Sequence, residues 1–199
     1  MHMRIPKTVS RVLVRMEIIM RTFLHYFWLV IKTLLRIVLK PLSFVPAICV
    51  MYMIFQFSAQ NGVTSSNLSY KVTKELIVIA DQVLQKDMSD AQIEAAIEKY
   101  HPYVRKLAHF SEYMVLAITV AFPLYVYGLR GLWLVFFAGA FCVGFACLDE
   151  YHQSFVAGRG PSKRDVLIDS SGALLGIYIT RIISFIGRKT IFAPLAKKR

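Results

Sequence analysis

Apolar residues are grouped into long runs along most of the chain, and short polar segments separate these runs. Four runs approach the length of about 20 residues that a helix needs to cross a bilayer. They predict an all-α, polytopic membrane protein with about four transmembrane helices, at residues 41–58, 107–127, 131–149 and 166–186. The turn between the second and third runs is so short that these two helices are expected to be antiparallel neighbours.

The N-terminal region, residues 1–40, differs from these runs because it is both apolar and basic. At about 100° per residue, four of its cations fall on one narrow arc of a helix: Arg21, His25, Lys32 and Arg36. This pattern predicts an amphipathic helix that lies in the membrane interface with its cations toward anionic lipid headgroups. The alternative is a fifth spanning helix, which would place Lys32 inside the bilayer at a cost of about 2.5–3.5 kcal/mol. We favour the in-plane helix.

The segment 60–104 is predicted to form an extracytoplasmic helical cap. Apolar residues recur there at spacings of three and four, which is typical of an amphipathic helix: Leu68, Val72, Leu76, Ile79 and Val83. Ser89 and Gln92 then have the spacing of a capping box, which predicts the start of a second helix.

The distribution of positive charge predicts the orientation. The basic region 1–40 and a basic tail at 188–199 flank the transmembrane domain, residues 41–187. Fifteen of the 24 Lys and Arg residues lie on the side of the two termini, and nine lie on the side of the cap and of the loop 151–164. By the positive-inside rule both termini are expected in the cytoplasm, so the cap and the loop are expected outside.

Composition agrees with a membrane protein and argues against a nucleic-acid partner. Hydrophobic residues make up 56% of the chain, and the mean hydropathy is +0.52, which is high for a soluble domain. The formal net charge is +12. Because the basic residues flank apolar runs, they fit topology signals and contacts with anionic lipid headgroups better than a nucleic-acid surface.

Polar residues that could carry chemistry are concentrated at the ends of the predicted spans. Helix order alone brings the end of the first span, the start of the second, the end of the third and the start of the fourth to one level. Ionisable residues inside spans are costly and usually face an interior or a wet cavity. The candidates for catalysis are His109, Glu112, Asp149 and Asp169. The candidates for ligand binding are Gln60, Arg105, Glu150, His152, Gln153, Arg159 and Asp165.

Some of these candidates also have a structural interpretation. Asp165 follows Ser162 at the spacing of a capping box, so it could simply stabilise the start of the fourth span. Arg105 could extend from a span end to lipid headgroups. Ion pairs that lock the helices together could involve Asp149, Glu150, Arg159 and Arg105, and such a structural role can coexist with function. For His109, Glu112, Asp149 and Asp169 we favour function.

Two further patterns concern helix surfaces. Tyr113, Tyr151 and Phe155 are expected in the aromatic belt at the membrane interface. Gly172 and Gly176 continue the helix stripe of the two aspartates in the fourth span. Small residues in such a stripe predict close packing against a neighbouring helix.

The order and spacing of the polar motifs resemble those of the VanZ-like family. The motifs are FQFSAQ at residues 55–60, KLAHFSEY at 106–113, DEYHQSFVAGR at 149–159 and the aspartates 165 and 169. The chain departs from the family pattern at Ala59 and Ala157, outside the ionisable set. The resemblance implies a multi-pass protein of the bacterial cytoplasmic membrane. The family's founding members are associated with resistance to teicoplanin, a lipid-anchored glycopeptide that acts on the outer face of that membrane.

Two hypotheses of function follow. The first is a cell-envelope protein that binds a lipid, a lipoglycopeptide or a cell-wall precursor at an outward polar cluster. Arg105 and Arg159 would hold phosphate or carboxylate, because guanidinium pairs with both. Glu112, Asp149 and Asp169 would hold amines or orient the arginines.

The second hypothesis is a membrane-embedded hydrolase or transferase that acts on a lipid-linked headgroup. His109 and Glu112 would form an acid–base pair, or six side chains would supply ligands for a divalent metal. These six are His109, Glu112, Asp149, Glu150, His152 and Asp169. The sequence leaves any cofactor open, and proton-coupled transport or flipping is a third, lesser option.

Overall fold

A computed structural model describes residues 7–189, with side chains for residues 15–35 and 37–187. The described residues are helical with no strand, which confirms the all-α prediction. The helices are α1 (Lys7–Leu42), α2 (Val45–Ser58), α3 (Gly62–Leu84), α4 (Asp90–Val126), α5 (Gly131–Gln153) and α6 (Lys163–Lys189). Most of the predicted basic tail, residues 190–199, lies outside the described residues, as do the first six residues.

Four helical stretches are long and apolar enough to cross a membrane, as predicted. They are Arg15–Ser58, Asp90–Val126, Gly131–Gln153 and Lys163–Gly187. The first stretch covers most of α1 and all of α2. Its length and hydropathy fit an in-plane helix followed by one span as well as they fit two spans. The position of α1 in the membrane stays a prediction.

Helix α1 belongs to a compact unit of its own and is a continuous helix of 36 residues. Its cations Arg21, His25 and Lys32 are exposed. Arg21 pairs with Glu17 at 2.8 Å, and the ammonium group of Lys32 lies 5.5 Å from the centre of the Trp28 ring. The side chain of Arg36, the fourth predicted cation, lies outside the described side chains.

Helices α2, α4, α5 and α6 form a bundle around one apolar core. The closest pair is α4 and α6. A Cβ atom at Gly172 would overlap the main-chain oxygen of Phe110, and one at Gly176 would overlap that of Met114. The two contacts advance in the same direction along both helices, so α4 and α6 are parallel. The predicted close packing of the glycine stripe is confirmed, and its neighbour is α4.

Helix α4 joins two elements that the sequence indicated separately. The second helix of the cap and the second span form one 37-residue helix, Asp90–Val126, which continues through Pro102 and Pro123. At about 1.5 Å per residue it is roughly 55 Å long, more than a bilayer core requires. The predicted capping box is confirmed: Ser89 Oγ accepts from the Gln92 amide at 3.4 Å, and the Gln92 side chain accepts from the Ser89 amide at 2.9 Å.

Helix α3 packs against the first half of α4. His101 Nε2 and Ser69 Oγ lie 2.8 Å apart, and the Tyr70 hydroxyl donates to Glu94 Oε1 at 2.7 Å. That hydrogen bond raises the pKa of Tyr70. The predicted apolar stripe of α3 forms but is exposed along its length: Leu68, Val72, Leu76, Ile79 and Val83.

The aromatic-belt prediction is wrong for Tyr113. This side chain is fully buried in the core, because its face of α4 points into the bundle toward α5, where the Phe145 ring lies 6.2 Å away. Tyr151 and Phe155 are exposed, with their ring centres 5.1 Å apart. A surface position in the interface suits these two side chains.

Candidate functional site

A polar cavity of about 150 Å³ lies at the end of the bundle where α2 ends and α5 ends. Helices α3 and α4 and the loop between α5 and α6 complete its wall. Six of the eleven predicted site residues line this cavity. They are Gln60, Arg105, His109, Glu112, Asp149 and Arg159.

Arg159 is the best-defined cation of the cavity. Its Nη2 atom donates to the main-chain oxygen of Phe57 at 3.1 Å. Its Nε and Nη1 atoms are buried and have no hydrogen-bond partner among the described residues. Burial lowers the pKa of Arg159, and the charge of Arg105 lowers it further, while Asp149, Glu150 and Glu112 act in the opposite direction.

The loop that carries Arg159 is held by a backbone contact with the start of α3. The Gly62 amide donates to the main-chain oxygen of Ala157 at 3.0 Å. A Cβ atom at Gly62 would overlap the carbonyl group of Gly158, which has a φ of +74°. Only glycine permits so close an approach of two backbones. Sequence reasoning missed Gly62, because it reads as an ordinary turn residue.

Acidic and imidazole groups line the wall contributed by α4 and α5. His109 Nδ1 and Glu112 Oε2 are 3.9 Å apart, which is longer than a hydrogen bond. Asp149 is buried, and its Oδ2 atom accepts a hydrogen bond from Gln153 Nε2 at 3.0 Å. The cavity thus has separate cationic and anionic groups that do not neutralise each other by direct contact within the described chain.

The other five predicted residues do not line the cavity. Asp165 forms an ion pair with Lys106, and its amide donates to Ser162 Oγ at 3.3 Å, as a helix cap would. Glu150 accepts from the Ser162 amide at 2.7 Å. These contacts connect the middle of α4, the end of α5 and the start of α6, so we assign Asp165 and Glu150 a structural role.

His152, Gln153 and Asp169 complete that group of five. The His152 ring lies 4.7 Å from the Phe55 ring, and Gln153 supports Asp149. Asp169 is 1% exposed, and its Oδ1 atom has no hydrogen-bond partner among the described residues. Asp169 is therefore a buried polar group of the bundle interior, not of the cavity wall.

Three serine hydroxyl groups on the cavity wall were absent from the predicted set: Ser58, Ser65 and Ser69. Ser58 is buried, and its Oγ atom has no partner among the described residues. Ser65 and Ser69 lie one turn apart on α3. Their spacing is a weak signal, because serine at i and i+4 is common on exposed helix faces.

The metal form of the enzyme hypothesis requires three or more ligands in one place. Among the described residues, no group of three His, Cys, Asp or Glu side chains could hold a metal ion. Of the six side chains proposed as ligands, His109, Glu112 and Asp149 line the cavity but do not converge on one point. Glu150 bonds to the Ser162 amide, His152 lies against Phe55, and Asp169 lies in the bundle interior. This arrangement does not fit a metal centre.

The fold and the cavity define an all-α polytopic membrane protein with a charged, partly apolar cavity at one end of its helix bundle. A profile of the VanZ/LLP1 family matches residues 43–184, which is most of the chain. The protein belongs to this family, as the resemblance of its motifs predicted. Searches of curated proteins and of solved structures found no match.

Proposed function

We propose that this protein binds an anionic group of a lipid, of a lipoglycopeptide or of a lipid-linked cell-wall precursor in the polar cavity. The observation that carries the proposal is the pair of buried, unpartnered N–H groups on Arg159. A buried donor without a partner costs about 1–3 kcal/mol, and more when it belongs to a charged group. A ligand that accepts from both nitrogens would remove this cost.

The ligand group that suits Arg159 is a phosphate or a carboxylate. Guanidinium donates to both through parallel N–H bonds, and such charge-assisted bonds are stronger than neutral ones. Arg105 lines the same cavity and adds a second positive charge. Since the Nη2 atom of Arg159 already bonds to Phe57, the Nε and Nη1 atoms remain as the donors for the ligand.

The acidic groups of the cavity suit a second part of the same ligand. Glu112 and Asp149 line the wall together with the hydroxyl groups of Ser65 and Ser69. Carboxylates accept hydrogen bonds from amines and hydroxyl groups. A headgroup that combines an anion with an amine or with sugar hydroxyl groups therefore matches both signs of charge.

Apolar residues at the cavity support a ligand with a lipid tail. Leu68 and Val72 of α3 line the cavity, and they begin the exposed apolar stripe that continues to Val83. Ile54 of α2 lines the cavity from the bundle side. The apolar surface is thus continuous from the cavity wall onto the outside of the protein, as a chain attached to the headgroup would need.

In this proposal the cavity faces the outside of the cytoplasmic membrane, with both termini in the cytoplasm. The support is the excess of Lys and Arg on the side of the termini. An outward cavity would meet lipid-linked cell-wall precursors and teicoplanin on the side where glycopeptides act. The family is linked to glycopeptide resistance, so the expected consequence of binding is tolerance to a teicoplanin-type antibiotic.

A second candidate function is hydrolysis or transfer at the bound headgroup with His109 and Glu112 as acid and base. The observation in its favour is that the two side chains lie 3.9 Å apart on one wall of the cavity. Catalytic hydrogen bonds are often longer before a substrate binds. Both functions would use the same cavity. Binding would depend on Arg159, whereas catalysis would depend on His109 and Glu112.

A direct binding assay tests the proposal. Purified full-length protein would be titrated in detergent with a polyprenyl phosphate and, separately, with teicoplanin. We expect Arg159→Gln to weaken binding of at least one probe by about 10–100-fold, the loss of a charge-assisted hydrogen bond. Arg164→Gln, at an exposed position away from the cavity, is the matched control. Unchanged affinity in Arg159→Gln would refute the proposal.

A further inference from the structure

A second cavity lies at the opposite end of the bundle, where α4 ends and α5 begins. It has a volume of about 420 Å³, is open to the surface, and is bounded on its other side by the last part of α6. Its lining combines Arg130 and Arg181 with the aromatic rings of Tyr125, Tyr178 and Phe185 and with aliphatic side chains. None of its lining residues is acidic. The proposed headgroup function does not involve this cavity.

Each of the two arginines lies against a tyrosine ring. The guanidinium carbon of Arg130 lies 5.2 Å from the centre of the Tyr125 ring, and that of Arg181 lies 5.5 Å from the centre of the Tyr178 ring. Cation–π contacts of this length orient a guanidinium group without neutralising it. No carboxylate in the described part of the chain forms an ion pair with either arginine.

We propose that this cavity binds the phosphate headgroup of an anionic phospholipid, for which phosphatidylglycerol is the probe. Two guanidinium groups from different parts of the bundle suit phosphate, which accepts several hydrogen bonds. Basic pockets between transmembrane helices bind anionic headgroups in this way. One arginine alone would fit a cation that merely extends to the interface, but two that line one cavity form a site.

Apolar residues beside the arginines suit the acyl chains. Ile182 and Phe185 of α6 line the cavity next to Arg181 and are exposed, so their surfaces are open to acyl chains. The cavity thus combines one arginine at the α4–α5 turn and one on α6 with apolar surface on α6. A free phosphate ion would use the charge alone, whereas a phospholipid would use both.

Native mass spectrometry of the purified full-length protein tests the site. Phosphatidylglycerol, phosphatidylcholine and inorganic phosphate would each be titrated against the protein in detergent. We expect tight binding of phosphatidylglycerol, weak binding of phosphatidylcholine and little binding of inorganic phosphate. Loss of one interfacial arginine should weaken phosphatidylglycerol binding by about 5-fold, and the Arg130→Gln, Arg181→Gln pair by about 25-fold.

The control is the pair Lys163→Gln, Arg164→Gln, which removes the same charge at the other end of the bundle. It should bind phosphatidylglycerol as the unaltered protein does. If the Arg130→Gln, Arg181→Gln protein fails to fold, each single variant is compared with the control instead. The Arg130→Lys, Arg181→Lys protein, which keeps both charges, is then the second comparison. Three results would each overturn the proposal. The first is that the Arg130 and Arg181 variants bind phosphatidylglycerol within twofold of the unaltered protein. The others are an equal loss of affinity in the control, and inorganic phosphate that binds as tightly as the lipid.

Discussion

Arg159 donates a hydrogen bond from Nη2 to the main-chain oxygen of Phe57 at 3.1 Å, although 102 residues separate the two along the chain. The bond connects the α5–α6 loop to the end of α2. It holds the guanidinium group of a residue that lines the cavity, while the other two nitrogens are buried and without partners among the described residues. Preorganised donors of this kind bind an anion with little ordering cost.

The contact between Gly62 and Gly158 gives the first prediction. Gly62→Ala places a Cβ atom against the Gly158 carbonyl, so the loop must shift and carry Arg159 with it. We expect binding of a polyprenyl phosphate to weaken by about tenfold, because the charge-assisted bonds lose their geometry. Gly160→Ala, in the same loop but with open space around its Cβ position, is the control. Equal affinity of the two variants would contradict this account of the loop.

The close approach of α4 and α6 gives the second prediction. Gly172→Ala should lower the free energy of unfolding in detergent by about 1–3 kcal/mol, because the added methyl group overlaps the Phe110 carbonyl. Chemical unfolding followed by circular dichroism measures this change. Gly144→Ala in α5 has open space around its Cβ position and should not lower stability. A stable Gly172→Ala protein would mean that the two helices separate at little cost.

The ion pair between Lys106 and Asp165 gives the third prediction. Its side chains are 39% and 21% exposed, so solvent screens the pair and its coupling free energy should be below about 1 kcal/mol. A double-mutant cycle with Lys106→Gln and Asp165→Asn measures this value. Neither residue lines the cavity. If these variants bound the probes as weakly as Arg159→Gln does, the binding site would have to include Lys106 or Asp165.

The proposed orientation gives the fourth prediction. A cysteine at Lys86, between α3 and α4, should react with a membrane-impermeant maleimide in intact cells, because the cap faces outside. A cysteine at Leu132, exposed at the start of α5, should react only after the membrane is opened. The background has alanine at the three native cysteines, Cys49, Cys142 and Cys147. The reverse labelling pattern would place the polar cavity in the cytoplasm.

Sequence reasoning was most informative about helices and about the level of the polar residues. Apolar runs predicted the four candidate spans because each run is a long, one-dimensional signal. Helix order then predicted that the end of α2, the first half of α4, the end of α5 and the start of α6 bring polar groups to one level. Six of the predicted residues line one cavity: Gln60, Arg105, His109, Glu112, Asp149 and Arg159. The aspartates at the start of α6, Asp165 and Asp169, do not line it.

Contacts between helices could not be predicted from the sequence, because the spacing of residues within one helix does not give their distances to residues of another helix. Asp165 and Glu150 were predicted as site residues like Asp149. In the structure Asp165 forms an ion pair with Lys106, and Glu150 accepts a hydrogen bond from the Ser162 amide. Tyr113 looked like an interfacial aromatic residue, yet its face of α4 is the buried one. These outcomes depend on helix rotation, which the apolar pattern leaves undetermined when a helix is apolar on most sides.

The most direct test of the central claim compares Arg159→Gln with His109→Gln and Glu112→Gln in one binding assay. The three variants would first be shown to reach the membrane in equal amounts. Each would then be purified and titrated with a polyprenyl phosphate and with teicoplanin. We expect Arg159→Gln to lose about 10–100-fold in affinity for at least one probe, and the other two variants to lose less. Full affinity in Arg159→Gln for both probes would contradict the claim that the guanidinium group of Arg159 holds the headgroup anion.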